Sequence, residues 1–407
     1  MSSTGRISQL NLQLSLVSQM RQQQAEIAKT QEEVASGRRQ IEDPEHIANI
    51  KNLEGSVANA ERYEKSSQVL NYRLGLGETV LTSSIDLLQR ARELAVMSNN
   101  DGVEPFSQSV VAAEIDALRA QLLGLANTQD ALGEYLFSGT KVDVQPFVES
   151  AGMVVYQGNE SVRQIRVAES SRLRDGYAGS QIFTEIPEGN GSFVTSVGLE
   201  NVGSAFIDIG QLSDAAEWES RTADRFMISL VDDAPTGLRY EVRENDGAGA
   251  LVTSGVYKSG EPITFEGVRV RLSGGGAAGD TFAIELAETE DIFTTLDRFS
   301  QMLREPLGSG SQKARLSTEI SRILVQLDQA INAANVARSD VGARITVLEN
   351  VDQFRTDQKA VAQEMLSTLR DTNYAESVAK LQAQMTALQV AQQAYGRATS
   401  RTLFDYL

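Results

Sequence analysis

Catalysis near neutral pH needs side chains that can be tuned to exchange protons or attack, and this 407-residue chain holds few of them. It has one histidine, His46, and no cysteine. A thiolate nucleophile, a Cys-ligated metal and a multi-histidine metal site are therefore excluded, and a Ser-His-Asp triad would have to use His46. His46 follows Asp43-Pro44-Glu45, which reads as a helix start with Asp as N-cap and Pro at the first helical position. It is read as a solvated first-turn side chain. Carboxylate groups such as Asp232-Asp233, or Glu288, Glu290 and Asp291, have the chemistry to hold a cation or move a proton. Their places at strand ends and helix starts read instead as solvated loop charge. Gly274-Gly275-Gly276 lacks the following Lys-Ser/Thr of a phosphate loop and reads as a turn. No catalytic, cofactor-binding or metal-binding residue is assigned, no cofactor is expected, and the chain is read as a non-enzyme.

Composition narrows the partners. The formal net charge of −18 argues against nucleic acid, whose phosphates require a basic face. No run approaches the ~18 continuous apolar residues of a membrane span, so membrane insertion is not expected. The first 30 residues scatter Leu and Ile among Gln and Ser, with no apolar core of a cleaved signal peptide. Taken alone, that implies a cytoplasmic protein.

Glycine placement shows which elements carry the chain. Of 32 glycines, 21 fall within 133–280, and Gly is costly inside helices but useful in turns. The ends are thus predicted helical and the middle rich in strands. Ile7, Leu10, Leu14 and Val17 recur at spacings of 3, 4 and 3, and the stripe continues with Gln at several positions to a stop at Gly37. A second helix starts at Pro44 and runs past Gly75 and Gly77, and a third carries Val111, Ile115, Leu118, Leu122 and Leu125. The third is expected to pair antiparallel with the second. Ile320, Leu324, Leu327, Ile331, Ala334, Val341, Ile345 and Leu348 repeat every 3.5 residues, in a helix predicted over 312–370 and on the order of 85 Å long. This stripe is read as an intramolecular core. Val378, Leu381, Met385, Leu388 and Tyr395 form a last helical run.

Between the helical arms, residues 135–147 and 153–167 alternate as strands do, with Gly158-Asn159 as a possible turn. Phe226-Ile228-Leu230, Tyr240-Val242, Ile263-Phe265, Val268-Val270-Leu272 and Phe282-Ile284-Leu286 alternate one residue in two, which predicts a small antiparallel sandwich or barrel. Trp218 is read as part of its core. The fold class is α+β: a long antiparallel helical bundle or coiled coil from both chain ends, with a β-hairpin and an inserted antiparallel β-rich domain. The chain divides into a coiled-coil segment (1–42), a bundle domain (43–134) with its hairpin region (135–182), an inserted head (183–290), the returning bundle (291–370) and a final coiled-coil segment (371–407).

Several segments, in this order, resemble the flagellin superfamily of bacterial axial proteins. Val34-Ala35-Ser36-Gly37-Arg38-Arg39 followed by Asp43-Pro44 is similar to that family's first-helix end, with Val and Ala where Leu and Ser are usual. Leu122-Leu123-Gly124-Leu125-Ala126-Asn127-Thr128 and Gly133-Glu134-Tyr135-Leu136-Phe137-Ser138-Gly139 resemble the helix end and hairpin entry of the hook–filament junction branch. Asp371-Thr372-Asn373-Tyr374-Ala375 resembles the break before the last helix, and Leu403-Phe404-Asp405-Tyr406-Leu407 is closer to the junction branch than to flagellin. The resemblance covers roughly 1–180 and 290–407.

The resemblance implies an extracellular structural subunit of the flagellum at the hook–filament junction. It would leave the cell through the flagellum's own type III export channel without a cleaved signal, which reverses the cytoplasmic inference. It implies assembly as a ring of copies, contact with flagellin and with another hook-associated protein at the hook tip, and a cytosolic export chaperone on the C-terminal segment. Candidate residues for the subunit and chaperone interface are Ile7, Leu10, Leu14, Val17, Val378, Leu381, Met385, Leu388, Tyr395 and Leu403. Both extreme ends carry a small positive side-chain charge and Gln-rich seams, so they are expected to order fully only against neighbouring copies. Alternatives are flagellin itself, and a coiled-coil stalk carrying a glycan-binding β head.

Overall fold

The structure, a computed structural model, describes residues 3–99, 105–233, 237–305 and 310–404. The chain forms two compact units, residues 1–65 with 351–407, and residues 66–350.

The first unit holds α1 (Ser3–Ser36), the start of α2 (Pro44–Ser98) and, returning, the end of α7 (Gly310–Arg370) with α8 (Tyr374–Phe404). The boundaries follow local chemistry. Gly37 ends α1 at φ 68°, a left-handed conformation that costs Gly nothing. Asp43 caps α2 by accepting the N–H of Glu45 at 3.0 Å, and Pro44 opens the helix. Asn373 caps α8, accepting from Ala375 at 3.2 Å and Glu376 at 3.4 Å. Within the unit, Lys359 of α7 reaches Glu64 of α2 at 3.2 Å, and Arg370 reaches Glu54 at 3.4 Å.

The second unit contains the rest of α2 and α7, α3 (Pro105–Ala126) and the β-rich middle. Gly75 and Gly77 do not break α2. Strands β1 (Phe147–Ser150) and β2 (Met153–Tyr156) form a hairpin, and β3 (Gln164–Arg166) pairs with β4 (Arg172–Arg174). The tight turn lies at Ala151-Gly152, with φ of 52° and 83°, rather than at Gly158-Asn159. Residues 135–146 are turns and isolated bridges instead of strand, because Gly133 and Gly139 at positive φ bend the backbone out of an extended path.

Beyond α4 (Ser180–Phe183) and β5 (Ile186–Pro187) lies the inserted sandwich. It comprises β6 (Phe193–Val197), β7 (Phe206–Ile207), β8 (Gln211–Leu212), α5 (Ala215–Glu219), β9 (Arg225–Asp233), β10 (Gly237–Glu244), β11 (Leu251–Val256), β12 (Pro262–Phe265), β13 (Val268–Ser273) and β14 (Thr281–Leu286). One sheet has the order β11-β10-β9-β14-β6; the other runs β12-β13-β7, with β8 also on β13. All pairings are antiparallel. Phe226, Ile228 and Leu230 of β9 meet Val268, Val270 and Leu272 of β13 in one buried cluster, which is the alternation read from the sequence. Trp218 is buried there. The predicted α+β architecture is thus the one observed.

After β15 (Thr289–Glu290) comes α6 (Ile292–Arg304), a separate helix that the periodicity had not set apart. Asp291 caps it by accepting from Thr294 at 2.7 Å, and Glu290 binds Arg298 at 2.7 Å. Glu290 and Asp291 are therefore structural, while Glu288 is exposed. Helix α3 packs most closely against α6, where Ser300 donates to the Ala112 carbonyl at 3.3 Å. Its tie to α2 is the Arg90–Glu114 ion pair at 2.7 Å. Phe147 seats the hairpin against Phe183 and Phe293, with ring centroids at 5.5 and 5.6 Å.

Candidate assembly interface

The residues nominated for assembly lie on α1 and α8, so the site is built from that helix pair. A short knot sets their geometry. The Gly37 carbonyl accepts the Thr372 N–H at 3.0 Å, and the Arg39 N–H reaches the Arg370 carbonyl at 2.8 Å. Arg38 and Asp371 bridge between these bonds. An ideal Cβ on Gly37 would sit 2.7 Å from the Tyr374 hydroxyl. Because the end of α1 is knotted to the start of α8, the two helices pack side by side in opposite directions.

Charge reinforces the corner. Lys29 binds Glu42 at 2.8 Å; this bond raises the Lys29 ammonium and lowers the Glu42 carboxyl. Arg370 and Ser367 hold the Asp371 carboxyl below the ordinary carboxylate range. His46 contacts Asp43 at 3.0 Å and lines a cleft of about 490 Å³ beside Arg39, Asn373, Glu376 and Lys380. It remains a first-turn side chain with no second histidine or cysteine to complete a metal set.

The structure sorts the nominated residues into two groups. On α8 the face turned inward is Ser377, Leu381, Gln384, Leu388, Ala391 and Tyr395, spaced 4, 3, 4, 3 and 4. On α1 it is Val17, Met20, Gln23, Ile27, Thr30 and Val34. Val17, Leu381, Leu388 and Tyr395 are therefore seam residues of the pair. Leu14, Val378 and Met385 lie outside it, 60%, 39% and 50% exposed. Ile7, Leu10 and Leu403 lie on the helices, but their side chains are outside the described residues.

The seam is weak in apolar contact. Among the described side chains of α1 and α8, Ile27 is the one fully buried hydrophobe, while Thr30 and Ser377 are buried polar groups. Gln23 and Gln384 each bury an Oε1 without a hydrogen-bond partner among the described residues. Counting outward from the Gly37–Thr372 bond, Gln23 lies 14 residues along α1 and Gln384 12 residues along α8, a difference of about 3 Å along the helices.

A second surface was not read from the sequence. Phe354, Val361 and Met365 on α7 are 63%, 56% and 52% exposed. They lie seven and then four residues apart, beside the inward stripe through Arg355, Lys359, Ala362 and Leu366. The seven-residue spacing was visible in the sequence, but the periodic reading followed the buried stripe and ended at Leu348. Large apolar side chains left in water at helical spacing form an apolar stripe on the exposed side of α7.

Helical arms drawn from both chain ends, carrying a β-rich insertion and exposed apolar side chains outside the α1–α8 seam, are the features of an axial protein of the flagellin superfamily. Residues 7–142 match the bacterial flagellin N-terminal helical region. Flagellar hook-associated protein 3 of Escherichia coli is 22% identical over 385 residues, covering 94% of this chain and 93% of the relative. The crystal structure of FlgL from Xanthomonas campestris aligns at a TM-score of 0.71 with 32% identity, over 77% of this chain and 99% of that one. The flagellar junction protein FlgL from Legionella pneumophila aligns at 0.71 with 29% identity, over 79% and 99%. The chain belongs to the flagellar hook-associated protein 3 family and is a structural component of the bacterial flagellum. That family is structural rather than enzymatic.

Proposed function

We propose that the chain is the hook–filament junction subunit, assembled as a ring of copies through its terminal helices. The ring would stand between another hook-associated protein at the hook tip and the first flagellin. The observation that carries this reading is the exposed apolar surface of the terminal unit: Leu14 on α1, Phe354, Val361 and Met365 on α7, and Val378 and Met385 on α8. Neighbouring copies covering these side chains would remove them from water, with each full burial worth about 1.5–3 kcal/mol. Similarity to a hook-associated protein and to a flagellar junction protein supports the location.

The seam gives the assembly its mechanism. One α1–α8 pair with buried glutamines and few apolar contacts gains little against the ordering entropy of some 60 residues, at roughly 1–2 kcal/mol each. The ends therefore complete their ordering as copies join. The same α8 face would serve a cytosolic chaperone before export through the flagellum's own channel, so chaperone and ring contacts exclude each other. Deletion of the gene tests the reading. Hooks without filaments and flagellin shed into the medium are expected, with immunogold label at the hook tip. Label along the whole filament would make the chain a flagellin instead. Glycan binding by the chain, with filaments intact after deletion, would favour the stalk with a carbohydrate-binding head.

A further inference from the structure

Strands β3 and β4 place Arg166 directly opposite Arg172 and Gln164 opposite Arg174. Cross-strand partners share a face, so Ile165 and Leu173 turn to the half-buried side while the three arginines and the glutamine stand exposed on the other. Like charges directly opposite repel and destabilise a strand pair. Nothing nearby relieves the repulsion. Arg166 and Arg172 have no hydrogen-bond or ion-pair partner among the described residues. Arg174 reaches Asp340 at 3.4 Å and lies 6.0 Å from the centre of the Tyr177 ring, and that carboxylate already accepts from Tyr177 and Arg344. Glu169, in the connecting turn, is exposed and joins no described ion pair.

Carboxylates are abundant in a chain of net charge −18, and Arg73, Arg163, Arg298 and Arg322 are each paired with one, whereas Arg166 and Arg172 confront each other without one. We propose that the β3–β4 face docks on carboxylates of a second copy of this chain in the assembled junction. The inference rests on the assembly reading above. Charge complementarity selects the occupant: the same unit exposes Glu78, Asp86 and Glu349 outside any described ion pair. Guanidinium groups side by side suit bidentate carboxylate contacts. Covering the face also removes the cross-strand repulsion, so the hairpin carries a local cost that only the assembled state relieves.

The test uses the full chain in cells lacking their own copy, complemented with wild type, Arg166→Glu/Arg172→Glu, Arg166→Gln/Arg172→Gln or Arg166→Lys/Arg172→Lys. Filaments retained after shearing are counted at low and high salt. The glutamate pair should retain at least about tenfold fewer filaments, the glutamine pair fewer, and the lysine pair nearly as many as wild type, all differences shrinking with salt. The glutamine pair keeps the test decisive if the glutamate pair fails to fold. Because the chain lacks cysteine, Ser170→Cys carrying a photo-crosslinker reports what covers the face in assembled flagella; an adduct with a second copy is expected. Wild-type filament retention by the glutamate pair, loss in the lysine pair equal to that in the glutamate pair, or adducts only with a different protein would overturn the inference. So would loss of heparin binding with unchanged filaments, which would assign the face to an anionic polysaccharide. Failure of wild type itself to restore filaments would instead remove the assembly reading.

Discussion

Arg73 and Asp130 stand 57 residues apart in sequence and form an ion pair with both side chains 2% exposed. Arg73 of α2 also reaches Glu134 at 3.0 Å and Asp175 at 3.4 Å, and Arg163 bonds the latter two at 2.8 and 2.7 Å. This cluster pins the loop after α3 and the β3–β4 hairpin to the middle of α2. It is the electrostatic counterpart of the Phe137–Phe183–Phe147 contacts nearby.

Replacing Arg73 with Met leaves buried carboxylates without their central cation. Such half-broken pairs cost about 3–5 kcal/mol. Urea unfolding of Arg73→Met should show that loss in the transition assigned to the second unit, while Arg92→Met, which removes an exposed pair with Asp328, should cost no more than about 1 kcal/mol.

Acid should weaken the same cluster. Burial would raise the Asp130 carboxyl, but the N–H groups of Glu134 and Leu132, with Arg73, outweigh it and hold it below the ordinary range. Asp340, bonded by Tyr177 and Arg344, is lowered in the same way. A carboxyl depressed in the fold contributes stability above its unfolded value, near 3.9, that is lost as pH falls through the folded value. Melting temperature should therefore be flat near neutrality and fall below about pH 4. Asp130→Asn should give a shallower acid limb; an unchanged limb would contradict the assignment.

Gly37→Ala should loosen the knot between the terminal helices. A left-handed conformation costs a non-Gly residue roughly 1–2 kcal/mol, and the new methyl meets the Tyr374 hydroxyl. The double change Gly37→Ala/Tyr374→Phe should recover only the steric part. Circular dichroism melts of both variants and of Tyr374→Phe alone separate the two contributions.

The two groups of α8 residues should behave differently. Leu388→Glu strikes the seam and should lower monomer helicity as well as assembly. Met385→Glu, one turn away on the exposed side, should spare the helix but reduce filament attachment, and Phe354→Glu should do the same. Equal helicity loss at 385 and 388 would show that the pair does not pack in this register.

Much of the chain was legible because its signals are local. Gly37, Asp43-Pro44 and the β9 and β13 alternations act through backbone conformation and capping within a few residues, and they placed the elements correctly. The split of 290–312 into a separate α6 was not legible, since Asp291 as a cap competes with many similar acids. Periodicity named Val378, Leu381, Met385 and Leu388 together, because an apolar stripe alone does not say which of its edges meets another helix.

Residue order by itself determined helical arms, an inserted sandwich and membership of the flagellin superfamily, since those follow from spacing and turn chemistry along the chain. Only the tertiary structure decided that Arg73 holds three carboxylates, that Arg166 confronts Arg172 unpaired, and that Phe354 faces water. Those facts depend on how distant segments rotate and approach, and a side chain's partners are set in space by packing rather than by its neighbours in sequence.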